Sequence, residues 1–101
     1  MKYLLGIDFG GGASKATLLD ETGTIVAVHT VEYPTLHPTM GACEQAPEDW
    51  IDALRICCRA VLMRVDAADI AGVAVDSATH TFVVCDESVA PLRPAIHWTD
   101  T

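Results

Sequence analysis

The stretch Tyr3-Leu4-Leu5-Gly6-Ile7-Asp8-Phe9-Gly10-Gly11-Gly12-Ala13-Ser14-Lys15-Ala16-Thr17-Leu18-Leu19-Asp20 constrains the fold more than any other, because an apolar run is cut by consecutive glycines and then resumes. That pattern predicts a strand, a tight turn and a second strand. Glycine carries no Cβ and tolerates positive φ, so Gly10, Gly11 and Gly12 can turn the backbone sharply with N–H groups exposed toward an anion. Asp8, at the end of the first strand, can hold a Mg²⁺ ion through water, and Lys15 on the return strand can neutralise a phosphoryl group. A hairpin whose glycines serve only the turn is the competing account. The acid and the base flanking the glycines favour a phosphate site.

Composition narrows the partners. Six basic residues stand against 14 acidic ones, for a formal net charge of −8. This charge repels a phosphodiester backbone, so nucleic acid is not expected, and a bound nucleotide needs local help from Lys15, backbone N–H groups or a metal. Half the residues are apolar, which suits a folded α/β unit of one domain or part of one. No stretch has the length of a signal peptide or a membrane span, so a cytoplasmic protein with no membrane partner is expected. Cys43, Cys57, Cys58 and Cys85 show no C-x-x-C spacing, as befits reduced, packed thiols.

Along the chain, residues 16–19 and 24–31 extend the first strand into an antiparallel meander, with Asp20-Glu21-Thr22-Gly23 as turn chemistry. Pro34, Pro38 and Gly41 break any regular element between residues 32 and 46. Pro47 then suits a first helical turn, Glu48, Asp49 and Asp52 complement its dipole, and Arg55, Arg59 and Arg64 follow. Trp50, Ile51, Leu54, Cys57, Cys58, Val61, Leu62 and Val65 recur at helical spacing, so the helix is expected to run from 47 to about 65 with this face on the sheet. Residues 70–75 read as a buried parallel strand, 76–81 as a polar cluster at the sheet edge, and 82–85 as a further strand. In a sheet of this order Asp8 and the 76–81 cluster emerge at the same end.

These segments carry a resemblance. Gly6-Ile7-Asp8-Phe9-Gly10, with Lys15, Leu18 and Asp20, is similar to the first phosphate motif of the ribonuclease H-like, actin-like ATPase superfamily, and most of all to the FGGY carbohydrate kinases. Glu44-Gln45-Ala46-Pro47 with Trp50 resembles a Glu-Gln-x-Pro-x-x-Trp segment of pentulose kinases near the sugar. Thr79-His80, after Gly72-Val73-Ala74, resembles the pair that contacts sugar hydroxyls, although Met-His is common in xylulose kinases and Val75-Asp76-Ser77-Ala78-Thr79 also resembles ribulokinase-like members. Leu92 to Asp100 resembles Arg-Pro-Ala-Ile-x-Trp-x-Asp, where the aromatic and the acid border the sugar. On the residues alone Glu44 reads as a solvated loop acid and His80 as a structural or solvated histidine, while Trp98 and Asp100 read equally as a core residue beside a turn acid and as a sugar-packing aromatic with a hydroxyl acceptor.

The resemblance implies an incomplete ribonuclease H-like domain, residues 1–101 being the N-terminal portion of the first kinase domain. It implies an ATP- and Mg²⁺-dependent enzyme phosphorylating a pentulose such as xylulose at a primary hydroxyl. Ribulose, glycerol or gluconate are the alternative substrates, and a non-catalytic interaction module is the alternative role. Phosphate and Mg²⁺ would fall to Asp8, Gly10, Gly11, Gly12 and Lys15, with Asp8 as the metal residue. A small-molecule sugar would fall to Thr79, His80, Trp98, Asp100 and, more weakly, Glu44. The family usually has Thr where Gly11 stands, which removes one hydroxyl contact to phosphate. The general base and adenosine pocket are expected beyond residue 101, so these residues alone are expected to be inactive and, with uncovered apolar faces, to self-associate.

Overall fold

The computed structural model describes residues 1–100. Its main sheet is built from β1 (Tyr3–Phe9), β2 (Ala13–Asp20), β3 (Ile25–Glu32) and a fourth strand that follows the helix α1 (Pro47–Leu62). The two-residue strands β4 (Glu44–Gln45) and β6 (Ala95–Ile96) pair antiparallel with each other, while β5 (Ile70–Ser77) joins the main sheet in the order β3-β2-β1-β5. The meander is antiparallel, and β5 lies parallel to β1. The crossover through α1 makes that parallel pairing possible.

Alternation along the strands divides the sheet into two faces. Leu5 and Ile7 of β1 and Ala16 and Leu18 of β2 turn toward α1, where they form the core with Cys57 and Val61. Leu54, Cys58, Leu62 and Val65 pack around that core, as the helical spacing predicts. Ala53, also fully covered, completes the i, i+4, i+8 row with Cys57 and Val61. Ile51 departs from the expectation and is 43% exposed. It opens onto a cavity behind the glycine turn instead of onto the sheet.

The helix starts at Pro47, whose missing N–H costs nothing in the first turn, with Ala46 as an N-cap that makes no side-chain bond. It stops at Leu62, three residues short of the expected end. There the bonds shorten to Arg64 N to Val61 O and Val65 N to Leu62 O, the tighter 3₁₀ pattern common at helix ends. No helix among the described residues is long and apolar enough to cross a membrane.

Two expectations about the last third are corrected. The strand over 70–75 exists, but it is not buried: Val73 and Val75 are 58% and 63% exposed. Both lie on the helix side of the sheet, yet α1 packs over β2 and β3, and no described element reaches across β5. The second correction concerns residues 82–85, which form isolated bridges from Phe82 to Ile96 and Cys85 to Pro91 in place of a sheet strand. His80 has φ of 56°, a left-handed conformation that reverses the chain just beyond β5 and carries Phe82 toward Ile96, away from the sheet edge.

Candidate functional site

The face of the sheet opposite α1 carries a row of charge. Asp8 pairs in register with Lys15 of β2 on one side and with Asp76 of β5 on the other, so the three side chains stand abreast on one face. All three are exposed, and Gly6, Thr17 and Ala74 line the groove they border. The strand register also places Asp8 and the start of the 76–81 cluster at the same end, as expected, with Ala78 N donating to Phe9 O at 2.8 Å. Among the described residues the ion pairs are Arg55–Asp52 and Arg93–Glu44, which leaves Asp8 and Lys15 outside both.

The glycine turn is held by its carbonyl groups. The Tyr33 hydroxyl donates to Gly10 O and, at 3.2 Å, to Ala13 O. Gln45 Nε2 donates to Gly11 O at 2.6 Å and to Thr35 Oγ1 at 3.1 Å, while Gln45 Oε1 accepts from Trp50 Nε1 at 3.0 Å. His97 Nε2 lies 3.0 Å from Gly11 O, and Tyr33 N donates to Gly12 O at 3.0 Å. Since a carbonyl only accepts, His97 carries its proton on Nε2, and its Nδ1 accepts from Thr99 N at 3.2 Å. Burial raises the Tyr33 phenol above its ordinary value and does the same to the thiols of Cys57 and Cys58.

Of the two properties of glycine expected to serve this turn, the tolerance of positive φ goes unused. The glycines with positive φ are Gly23 and Gly41, so none of the three in the turn uses left-handed backbone. Space is the constraint instead. A Cβ on Gly10 would stand 3.0 Å from Ala13 O, one on Gly11 would stand 3.4 Å from His97 Nε2 and 3.6 Å from Trp98 Nε1, and one on Gly12 would meet nothing within 4 Å.

That contact at Gly11 joins the turn to the segments singled out for sugar. Trp98, 60% exposed, flanks Gly11, and its backbone N–H donates to Thr81 Oγ1 at 3.1 Å. Thr79 and His80 are exposed on the adjacent turn. Asp100 and Glu44 are engaged differently. Asp100 Oδ2 accepts from Cys43 N at 2.8 Å, and Glu44 pairs with Arg93 across the β4–β6 ribbon. Asp8, Lys15, Gly10 to Gly12, Trp98 and the Thr79–His80 turn thus gather at one end of the sheet, whereas Glu44 and Asp100 tie the loops that support it.

Four residues escaped the sequence reading as site residues: Asp76, Tyr33, Gln45 and His97. Asp76 was visible only as part of a polar cluster, and its place beside Asp8 depends on strand register. Gln45 lay within the quoted Glu-Gln-x-Pro segment, where a polar residue just before a helix-starting proline is the one available signal. Tyr33 and His97 have no periodic or motif signal of their own.

A mixed sheet with an N-terminal antiparallel meander, a crossover helix and a glycine turn beside an acid defines the actin-like ATPase fold. The crystal structure of gluconate kinase from Lactobacillus acidophilus superimposes with a TM-score of 0.91 at 28% identity, covering 98% of this chain and 20% of that one. The chain belongs to the FGGY family of carbohydrate kinases: the profile of that family's N-terminal domain matches residues 3–101. A xylulose kinase of Staphylococcus xylosus is 36% identical over 101 residues, covering 100% of this chain and 21% of the relative. A gluconokinase of Bacillus subtilis is 33% identical over 98 residues, covering 97% and 19%. The chain therefore spans about a fifth of the length of these relatives.

Proposed function

We propose that the protein carrying this chain is an ATP-dependent sugar kinase that transfers a phosphoryl group to a primary hydroxyl of a pentulose such as xylulose, and that residues 1–101 are the first part of its N-terminal domain. The observation that carries this is the meeting of two kinds of surface at Gly11. On one side lie an exposed acid and an exposed lysine in register, and on the other lies an exposed indole that a Cβ on Gly11 would meet at 3.6 Å. Phosphoryl transfer depends mainly on positioning and on neutralising charge, and such a juxtaposition supplies both.

In this assignment Lys15 and the glycine turn receive phosphate. Asp8, exposed and outside the described ion pairs, has the carboxylate chemistry to hold Mg²⁺ through water. Mg·ATP supplies the transferable group and the ion that neutralises its charge. Trp98 packs against sugar carbons, the Thr79–His80 turn offers hydroxyl contacts, and Asp100 Oδ1 remains for a sugar hydroxyl. Glu44 acts through Arg93 by fixing the ribbon that carries Trp98.

Substrate choice is tested by phosphorylation assays on the full-length protein with xylulose, ribulose, gluconate and glycerol. Xylulose is the expected best acceptor, and the absence of turnover with every sugar and polyol would reject the kinase assignment. The 101-residue chain by itself is expected to be inactive, because it forms one wall of a cleft that must close around both substrates. The uncovered Val73 and Val75 on an edge strand support self-association of that chain, which light scattering measures.

A further inference from the structure

Three consecutive carbonyl groups of the glycine turn are taken up by donors from inside the protein. Gly10 O accepts from the Tyr33 hydroxyl, Gly11 O from Gln45 Nε2 and His97 Nε2, and Gly12 O from the backbone of Tyr33. The donors are buried, with Tyr33 at 6%, Gln45 at 1% and His97 at 7% exposure. Each carbonyl therefore points into the protein. In a planar trans peptide the C=O of one residue and the N–H of the next point in opposite directions, and the chain contains no cis peptide. Turning Gly10 O and Gly11 O inward consequently turns the N–H groups of Gly11 and Gly12 outward.

We propose that Tyr33, Gln45 and His97 are positioning residues of the phosphate turn, which they act on through its carbonyls to hold the Gly11 and Gly12 N–H groups toward phosphate. A glycine turn left alone is the most mobile backbone a chain can have, and a peptide flip there would present an oxygen to an anion. The side-chain donors oppose that flip, so the cradle is set before phosphate arrives. His97 does more than the other two, because its neighbours Trp98 and Thr99 belong to the sugar-side segment. Nδ1 is fixed by Thr99 N, whose hydroxyl in turn reaches Cys43 Sγ at 2.8 Å. His97 thereby fixes the distance between the phosphate turn and the indole.

This assignment rests on the kinase function proposed above, and the test separates the two. In the full-length protein, His97→Phe keeps the ring and deletes the donor, whereas His97→Gln places an amide N–H near the position of Nε2. Affinity for Mg·ATP is measured by titration calorimetry, turnover by steady-state kinetics, and the amide shifts of Gly11 and Gly12 by NMR on adding Mg·ATP. His97→Phe should weaken Mg·ATP binding and lower kcat by about 2- to 10-fold, the worth of one neutral hydrogen bond. It should leave the KM for sugar within about twofold and reduce the phosphate-induced amide shifts, and His97→Gln should restore most of the loss. A folded His97→Phe protein with unchanged Mg·ATP affinity and kcat, or a His97→Gln protein no better than His97→Phe, would overturn the positioning role while leaving the kinase assignment intact. A wild-type protein that neither binds Mg·ATP nor phosphorylates any sugar would overturn both.

Discussion

Replacing Gln45 by Glu changes one atom group and leaves the shape, which makes the substitution a sharp probe of the buried network. Gln45 is 1% exposed, and its amide nitrogen donates to Gly11 O and Thr35 Oγ1. An ionised Glu at this position would place a carboxylate oxygen against the Gly11 carbonyl, in a site that water does not reach. The acid responds by staying protonated, which lets it donate one hydrogen bond to Gly11 O while still accepting from Trp50 Nε1. Its folded pKa is then raised above the value of about 4.3 that it has in the unfolded chain. The sign follows from linkage: the variant matches its best stability below the unfolded pKa and loses stability as pH rises, until the folded pKa is passed. Each pH unit in that interval costs about 1.4 kcal/mol, so the deficit at neutral pH reaches about 3 to 4 kcal/mol if the group stays neutral there. That is a large part of the roughly 5 to 15 kcal/mol by which domains are stable. Urea unfolding of wild type and Gln45→Glu, followed in parallel from about pH 5 to 7.5, reads the deficit directly. A deficit that stays flat across this range would refute the claim that Gln45 Nε2 is a buried donor to the turn.

Three other outcomes are expected. Gly10→Ala should destabilise by about 1 to 3 kcal/mol, because its Cβ would press on Ala13 O, which is itself bound by Gly10 N at 2.8 Å, whereas Gly12→Ala should be neutral or mildly stabilising; denaturant midpoints compare the two. Val89 is 78% exposed with φ of 63°, an unfavourable conformation for a β-branched residue, so Val89→Asn should gain about 1 kcal/mol in a thermal melt. Burial raises the Tyr33 phenol above its reference value of 10.0, so its contribution to stability is present below that value and is lost as pH rises through the folded pKa; absorbance at alkaline pH should show one of the two tyrosines titrating late, and Tyr33→Phe should abolish the late step.

What could be read from the sequence was what depends on near neighbours. The strand–glycine–strand opening and the helix beginning at Pro47 follow from residues a few positions apart, and Leu54, Cys57, Cys58 and Val61 were placed on the core by spacing alone. Val73 and Val75 were not, since burial of an apolar strand depends on whether another element lies over it, and α1 covers β2 and β3. Residues 82–85 form a short apolar run like that of a strand, but the reversal at His80 decides their partner. Asp8 and Lys15 were legible as a pair because the hairpin between them is tight. Asp76 entered the same row only through parallel register, and the donors to the turn come from distant loops whose side chains follow no period.

Those donors lie 23, 34 and 86 residues along the chain from the glycines they bind. Closing such intervals costs entropy that the hairpin itself never has to meet. During synthesis from the N-terminus the turn therefore exists long before it is finished: the meander can fold once residue 32 is out, Gln45 arrives with the helix, and His97 arrives after the crossover strand has docked. The capacity to receive phosphate is in this way delayed until the distant loops have come home, and the same order in reverse makes detachment of the His97 segment the earliest local opening through which it would be lost.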